Sequence, residues 1–228
     1  MKQVNGTATV AHELYAVIRE RIVNGLYGQG MRLTEQQIAA EFNTSRTPVR
    51  EALRQLTADG FLVFKPNSGT LVREWSTQQI HELFDLRVLI ESEIALHAAE
   101  HIDDAGLSEL TKVQDEIEAR GADISEENTV RIGHLNRRFH ALIAQASDSE
   151  RLTSVLSNAI EQPIVQRTFR RYTVPQLERS FAHHRELLDA FRSRNGAWAK
   201  SIMTCHIHAA KFALLQDNPH ADDNADTP

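Results

Sequence analysis

Residues 33–72 read LTEQQIAAEFNTSRTPVREALRQLTADGFLVFKPNSGTLV, and their spacing predicts two short helices followed by a hairpin. Thr34 suits a helix cap, and Ile38, Ala39 and Phe42 fall on one side of the helix behind it. Asn43 and Thr44 then supply turn chemistry. In the next helix Thr47 suits the cap and Pro48 the first helical position, where no donor is missed. Val49, Ala52, Leu53 and Leu56 form its apolar side as far as Gly60. FLVF and TLVR flank the turn-prone run Lys65-Pro66-Asn67-Ser68-Gly69, the pattern of a β-hairpin. Upstream, Leu14, Val17, Ile18, Ile22 and Leu26 recur every three or four residues and predict a first helix, broken by Gly25, Gly28 and Gly30.

Three short helices and a hairpin describe a winged helix-turn-helix. Its third helix carries Arg46, Arg50 and Arg54, spaced by four along the edge opposite the apolar side. A helix aimed into the major groove can offer such guanidinium groups to phosphates and to guanine O6/N7, with Thr47 adding a hydroxyl. A row of arginines is also what a solvated helix face looks like. Here the turn, the cap, the wing and the sign of the charge agree on DNA.

The same forty residues resemble the DNA-binding signature of the GntR family of bacterial transcription regulators. The resemblance implies DNA contact by Ser45, Arg46, Thr47 and Arg50, with Gly69 letting the wing tip approach the minor groove. Arg54 extends the same row. Gln36 stands where some relatives carry an arginine, and Glu51 is expected to be structural.

Charge is unevenly divided over the 228 residues, whose formal net charge is −6. Through Arg73 there are 9 Lys or Arg against 6 Asp or Glu, and beyond it 16 against 25. A basic module joined to an acidic one suits a polyanion reader carried by a domain with another partner. At 41% apolar residues the chain can bury cores without staples, and a single cysteine, Cys205, forms no internal disulfide. No apolar run is long enough to span a membrane and no signal-peptide core opens the chain, so a cytoplasmic protein is expected.

From residue 76 to 216 only helical periodicity appears, with candidate helices over 77–101, 107–120, 127–147, 150–171, 175–194 and 197–216. The fold expected is therefore mainly α. A winged helix-turn-helix over 1–75 is followed by an all-α effector-binding and dimerisation bundle over 76–216 and a disordered acidic tail over 217–228.

Helical phase selects among the 11 histidines. Asn136 and His140, at i and i+4, border the face formed by Ile132, Leu135, Phe139, Leu142, Ile143 and Ala146. His184 falls in the stripe of Leu177, Phe181, Leu188 and Phe191, and His206 in that of Ala199, Ile202, Met203, Ala209 and Ala213. His183 and His208 fall away from those stripes. A single interior imidazole is ordinarily a hydrogen-bonded core residue. Three with an amide oxygen suit a first-row metal ion with open positions left for water or a ligand.

The helical part resembles the FCD ligand-binding domain of the FadR subfamily, whose metal-binding members carry an Asp-x-x-x-His pair and two further histidines. NRRFH matches the pair with Asn136 for the aspartate, HRELLDAF supplies His184 and MTCHI supplies His206. The resemblance implies a divalent ion, zinc first and nickel or manganese as alternatives, held by Asn136, His140, His184 and His206. It also favours Arg87 as a forked donor to the carboxylate of a small organic acid effector. Asn195, where relatives often have an acid, is expected at a helix start.

On sequence alone Arg87 and Glu91, central on the face shared by Ile80, Phe84, Ile94 and Ala98, also read as a buried ion pair. Leu89 and Leu96 on the opposite face predict contact with another helix or subunit. His97 and His101 lack a third ligand nearby. Cys205, Trp198, Phe191 and Phe212 read as packing residues rather than nucleophile or stacking platform. Motifs of nucleotide or hydrolytic chemistry are missing from the chain.

The function expected is a ligand-responsive regulator, in the family's common arrangement a repressor, that binds double-stranded operator DNA as a homodimer. A metal sensor in which the ion is the signal, and a metal-dependent hydrolase, remain as alternatives.

Overall fold

The computed structural model describes residues 5–23, 25–159, 168 and 171–216. It divides into two compact units, one running to Trp75 and the other beginning at Ser76. The former holds α1 (Asn5–Val23), α2 (Glu35–Glu41), α3 (Arg46–Ala58) and an antiparallel pair, β1 (Leu62–Lys65) and β2 (Gly69–Val72). The latter holds α4 (Thr77–His101), α5 (Asp104–Ala119), α6 (Glu126–Ala146), α7 (Glu150–Ala159), α8 (Val174–Arg192) and α9 (Gly196–Gln216). Among the described residues the only sheet is the two-stranded wing. The far end of the helix expected over 150–171, and the acidic tail, lie outside the described residues.

In the N-terminal unit one apolar cluster joins Leu14, Ile18 and Ile22 of α1 to Ile38 of α2, Val49, Leu53 and Leu56 of α3, and Leu62 and Val72 of the wing. Val17 and Leu26, expected on the buried face, are exposed. The chain leaves α1 before Leu26, and Tyr27 fills the core instead. Thr34 caps α2 as its position predicts, its Oγ1 accepting from the Gln37 amide at 3.2 Å. α3 begins earlier than the proline suggests: Ser45 is the N-cap and Pro48 the third helical residue, still inside the first turn where no intrahelical donor is lost. Lys65 pairs with Gly69 across the wing turn, where Asn67 and Gly69 take positive φ values of 67° and 83°.

In the C-terminal unit α4 packs against α6, α7, α8 and α9, while α5 packs against α6 and α8. Ser76 and Gln79 form a capping box that starts α4. α9 begins where the Asn195 side chain accepts from the Trp198 amide at 3.0 Å, the helix start expected of it. Ion pairs Lys211–Asp85 and Lys200–Glu93 run α9 antiparallel to α4. Three packing assignments need correction: Trp198 and Phe212 are exposed and so is Cys205, whereas Phe191 is fully buried. All three exposed residues lie on the side of α9 away from Ala199, Met203, Ile207 and Ala210.

Candidate functional site

The outer edge of α3 presents Arg46, Arg50 and Arg54, all exposed, opposite Val49, Ala52, Leu53 and Leu56. Ser45 and Thr47 are exposed beside them, and Ser45 makes no side-chain capping bond, so its hydroxyl is not used by the helix. Arg50 is not idle. It gives Nε and Nη2 to the two carboxylate oxygens of Glu35 on α2, at 2.7 and 2.9 Å. Arg54 lies 3.6 Å from Glu51. At the wing tip a side chain on Gly69 would meet the Arg32 guanidinium at 3.3 Å.

In the bundle α6, α8 and α9 bring His140, His184 and His206 together. One potential ligand atom from each lies within 4.8 Å of the others. Among the described residues no other such group of three His, Cys, Asp or Glu forms. The Nε2 atoms of His140 and His206 face each other at 3.2 Å. Two imidazole nitrogens on one tetrahedral ion with bonds of about 2.0–2.1 Å stand about 3.3–3.4 Å apart, so the observed spacing suits a shared ion.

The surroundings hold each ring. His140 Nδ1 lies 2.8 Å from Glu91 Oε2, and Glu91 Oε1 accepts from Arg87 Nε at 2.7 Å. His184 Nδ1 lies 2.7 Å from Gln114 Oε1, and its ring stacks on Phe139 with centroids 4.2 Å apart. Gln114 in turn donates to Glu118, which accepts from Arg185. With the Nδ1 side of His140 and His184 occupied, their Nε2 atoms are left for the centre.

Two buried atoms there have no partner among the described residues: His184 Nε2 and Asn136 Oδ1. Such atoms cost free energy unless something binds them. Burial, then the neighbouring imidazoles, pushes His184 and His206 well below the usual histidine range, so both offer bare lone pairs at neutral pH. For Glu91 burial is the largest influence and would raise the pKa, but Arg87 and His140 together outweigh it and hold the carboxyl at about 2. The donor set of three neutral imidazoles, an amide oxygen and an ionised carboxylate behind one ring fits a divalent ion.

Sequence reading thus named Asn136, His140, His184 and His206, which the fold brings together, and Arg87, which lies beside them through Glu91. Both readings of Arg87 meet here: it is buried and ion-paired, yet only its Nε is engaged in a hydrogen bond among the described residues. Gln114 was missed. Its signal is a polar residue inside the apolar stripe of Leu110, Val113 and Ile117. His183, set aside as lying off the stripe, is half-buried with its ring centroid 5.8 Å from that of His206.

Residues 10–72 match the bacterial regulatory proteins of the gntR family, and residues 82–209 match the FCD domain. The chain belongs to the GntR family. As a GntR regulator with an FCD domain, it is 26% identical over 216 residues to the HTH-type transcriptional repressor RspR of Escherichia coli K12, covering 94% of this chain and 92% of that one. The Bacillus subtilis gluconate operon transcriptional repressor is 31% identical over 149 residues, 65% of this chain and 58% of that one. The fold is shared with E. coli McbR/YncC, at a TM-score of 0.70 and 20% identity over 91% of this chain and 97% of that one. These relatives are transcription regulators and not enzymes, and the hydrolase alternative falls with them. This GntR protein is a DNA-binding transcription regulator whose described helices include none long and apolar enough to cross a membrane.

Proposed function

We propose that the protein is an effector-controlled repressor that binds operator DNA as a homodimer, and that its bundle holds a divalent ion and a small carboxylate. The observation that carries the bundle half is the convergence of three buried imidazoles within 4.8 Å, two of them held by Glu91 and Gln114. His140, His184, His206 and Asn136 would hold the ion, zinc first and nickel or manganese as alternatives. When bound, the ion supplies positive charge and open positions that an anionic ligand can occupy. Arg87 adds a fixed cation beside that site while Glu91 orients both Arg87 and His140.

On DNA, each α3 would enter a major groove with Ser45, Arg46, Thr47, Arg50 and Arg54, and the Gly69 wing tip would follow the minor groove. Two-fold symmetry of the protein would match a pseudo-palindromic operator. Leu86 and Leu89 of α4 and Phe212 of α9, exposed on the single chain, supply apolar surface for a second subunit. An effector regulates only by binding one arrangement of the two units more tightly than another.

Two measurements test this reading. Metal analysis of the purified protein should find near-stoichiometric ion that is lost in His184→Ala/His206→Ala; equal metal in both proteins refutes the ligand set. Operator selected from a random duplex pool should bind the dimer with a log-log salt slope of about −5, as expected for about six neutralised phosphates. Arg50→Ala should abolish that binding with the helical content intact, and unchanged affinity refutes the contact.

A further inference from the structure

Two of the three clustered imidazoles have a protein partner on the side away from the centre. His140 has Glu91 and His184 has Gln114. Metal-bound imidazoles ordinarily donate that outer N–H to a carboxylate, carbonyl or water. His206 breaks the pattern: its Nε2 faces His140, and its Nδ1 is buried without a partner among the described residues.

That side of His206 borders a small cavity lined by Tyr172, Gln176, Arg179, Ser180, His183 and Ala209. Two more lining atoms, Ser180 Oγ and His183 Nδ1, are likewise buried and unpartnered. Ser180 is 5% exposed and His206 4%. The cavity volume is about 10 Å³, room for a single oxygen. The local charge favours an anionic one. Arg179 lines the space, and Arg87 is near enough to act on both Tyr172 and His206. Glu186 is the carboxylate that acts on His183, and Glu91 already engages Arg87 and His140.

We propose that this cavity is an acceptor subsite in which one oxygen of a carboxylate ligand takes hydrogen bonds from His206 Nδ1–H and the Ser180 hydroxyl. The ligand would then complete the outer partner set of the metal centre from behind a coordinating ring, in addition to any contact with the ion itself. The inference rests on the metal reading above. Ligand and ion become coupled through His206: whichever binds first fixes the ring for the other, and the two affinities rise by the same factor.

The test uses the full-length protein stripped of metal, zinc as titrant against a chromophoric chelator, and formate, the smallest carboxylate, as probe. Formate should tighten zinc binding by about tenfold, within the usual range for coupled sites. Ser180→Ala and Ser180→Ala/His183→Leu should bind zinc as wild type does without formate and lose the formate effect, with unchanged circular dichroism. The mild single substitution keeps the test valid if the double variant misfolds. A formate effect that survives in Ser180→Ala and in the double variant places the anion on the ion's open positions and overturns the subsite. Zinc binding that ignores formate in the wild type means the cavity holds water only, and also overturns it. Failure of the wild type to bind zinc refutes the metal reading itself, and the subsite with it.

Discussion

Lowering the pH of the metal-free protein from 7.0 to 5.5 should destabilise its bundle by about 2.5 kcal/mol, a figure that follows from two buried rings. His184 is 1% exposed and His206 4%, and burial pushes both well below their ordinary pKa of 6.5. In the unfolded chain each takes up a proton as the pH falls through that value, whereas in the folded chain neither does. The unfolded state therefore binds more protons, and stability falls with falling pH at up to about 1.4 kcal/mol per unit for each ring. Integrated over the interval, each contributes about 1.2 kcal/mol. Glu91 adds no slope here, because its carboxyl, held at about 2, is ionised in the folded chain throughout and its unfolded value also lies below the window. His183, half-buried and shifted in the same direction, adds a smaller increment of the same sign. Urea melts followed by circular dichroism in the presence of a chelator would read the loss as a midpoint lower by about 1 M. His206→Gln should recover roughly half of the slope. A midpoint that stays level or rises between pH 7.0 and 5.5 would refute the claim that these rings are buried and neutral.

Other expectations are simpler. Gln114→Leu removes the partner of His184 Nδ1 and should weaken zinc binding about 10–100-fold while leaving the fold intact; competition against a chelator measures it, and wild-type affinity would show that Gln114 does not position the ring. Phe139→Ala removes a fully buried ring stacked on His184 and should cost about 3–5 kcal/mol in a denaturant melt. Thr34→Ala deletes the cap of α2 and should cost about 1 kcal/mol in the N-terminal unit alone, leaving the metal content of the bundle unchanged.

Legibility in the sequence followed the physics of each element. α4 was readable to its ends, Thr77–His101, because its cap Ser76 and a continuous apolar face stand in one stretch of chain. The three histidines were readable because helical phase alone decides which residues turn inward. Their partners were not, since Gln114 belongs to a different helix from His184 and their meeting depends on how α5 packs on α8. The start of α3 was misplaced for a local reason: proline fits anywhere in a first turn, so its position bounds a helix start without fixing it. Trp198 and Phe212 were misassigned because bulk and apolarity were taken as proof of burial, whereas α9 has apolar residues on more than one side.

The clasp between Glu35 and Arg50 bears on how such a protein searches a chromosome. A guanidinium already gripping a carboxylate meets a passing phosphate with its charge half spent, so anonymous stretches of duplex gain little from it. Only a site whose other contacts hold the helix in place makes exchanging partners worthwhile. Two residues joined across 2.7 and 2.9 Å thereby trade grip on arbitrary DNA for faster departure from it.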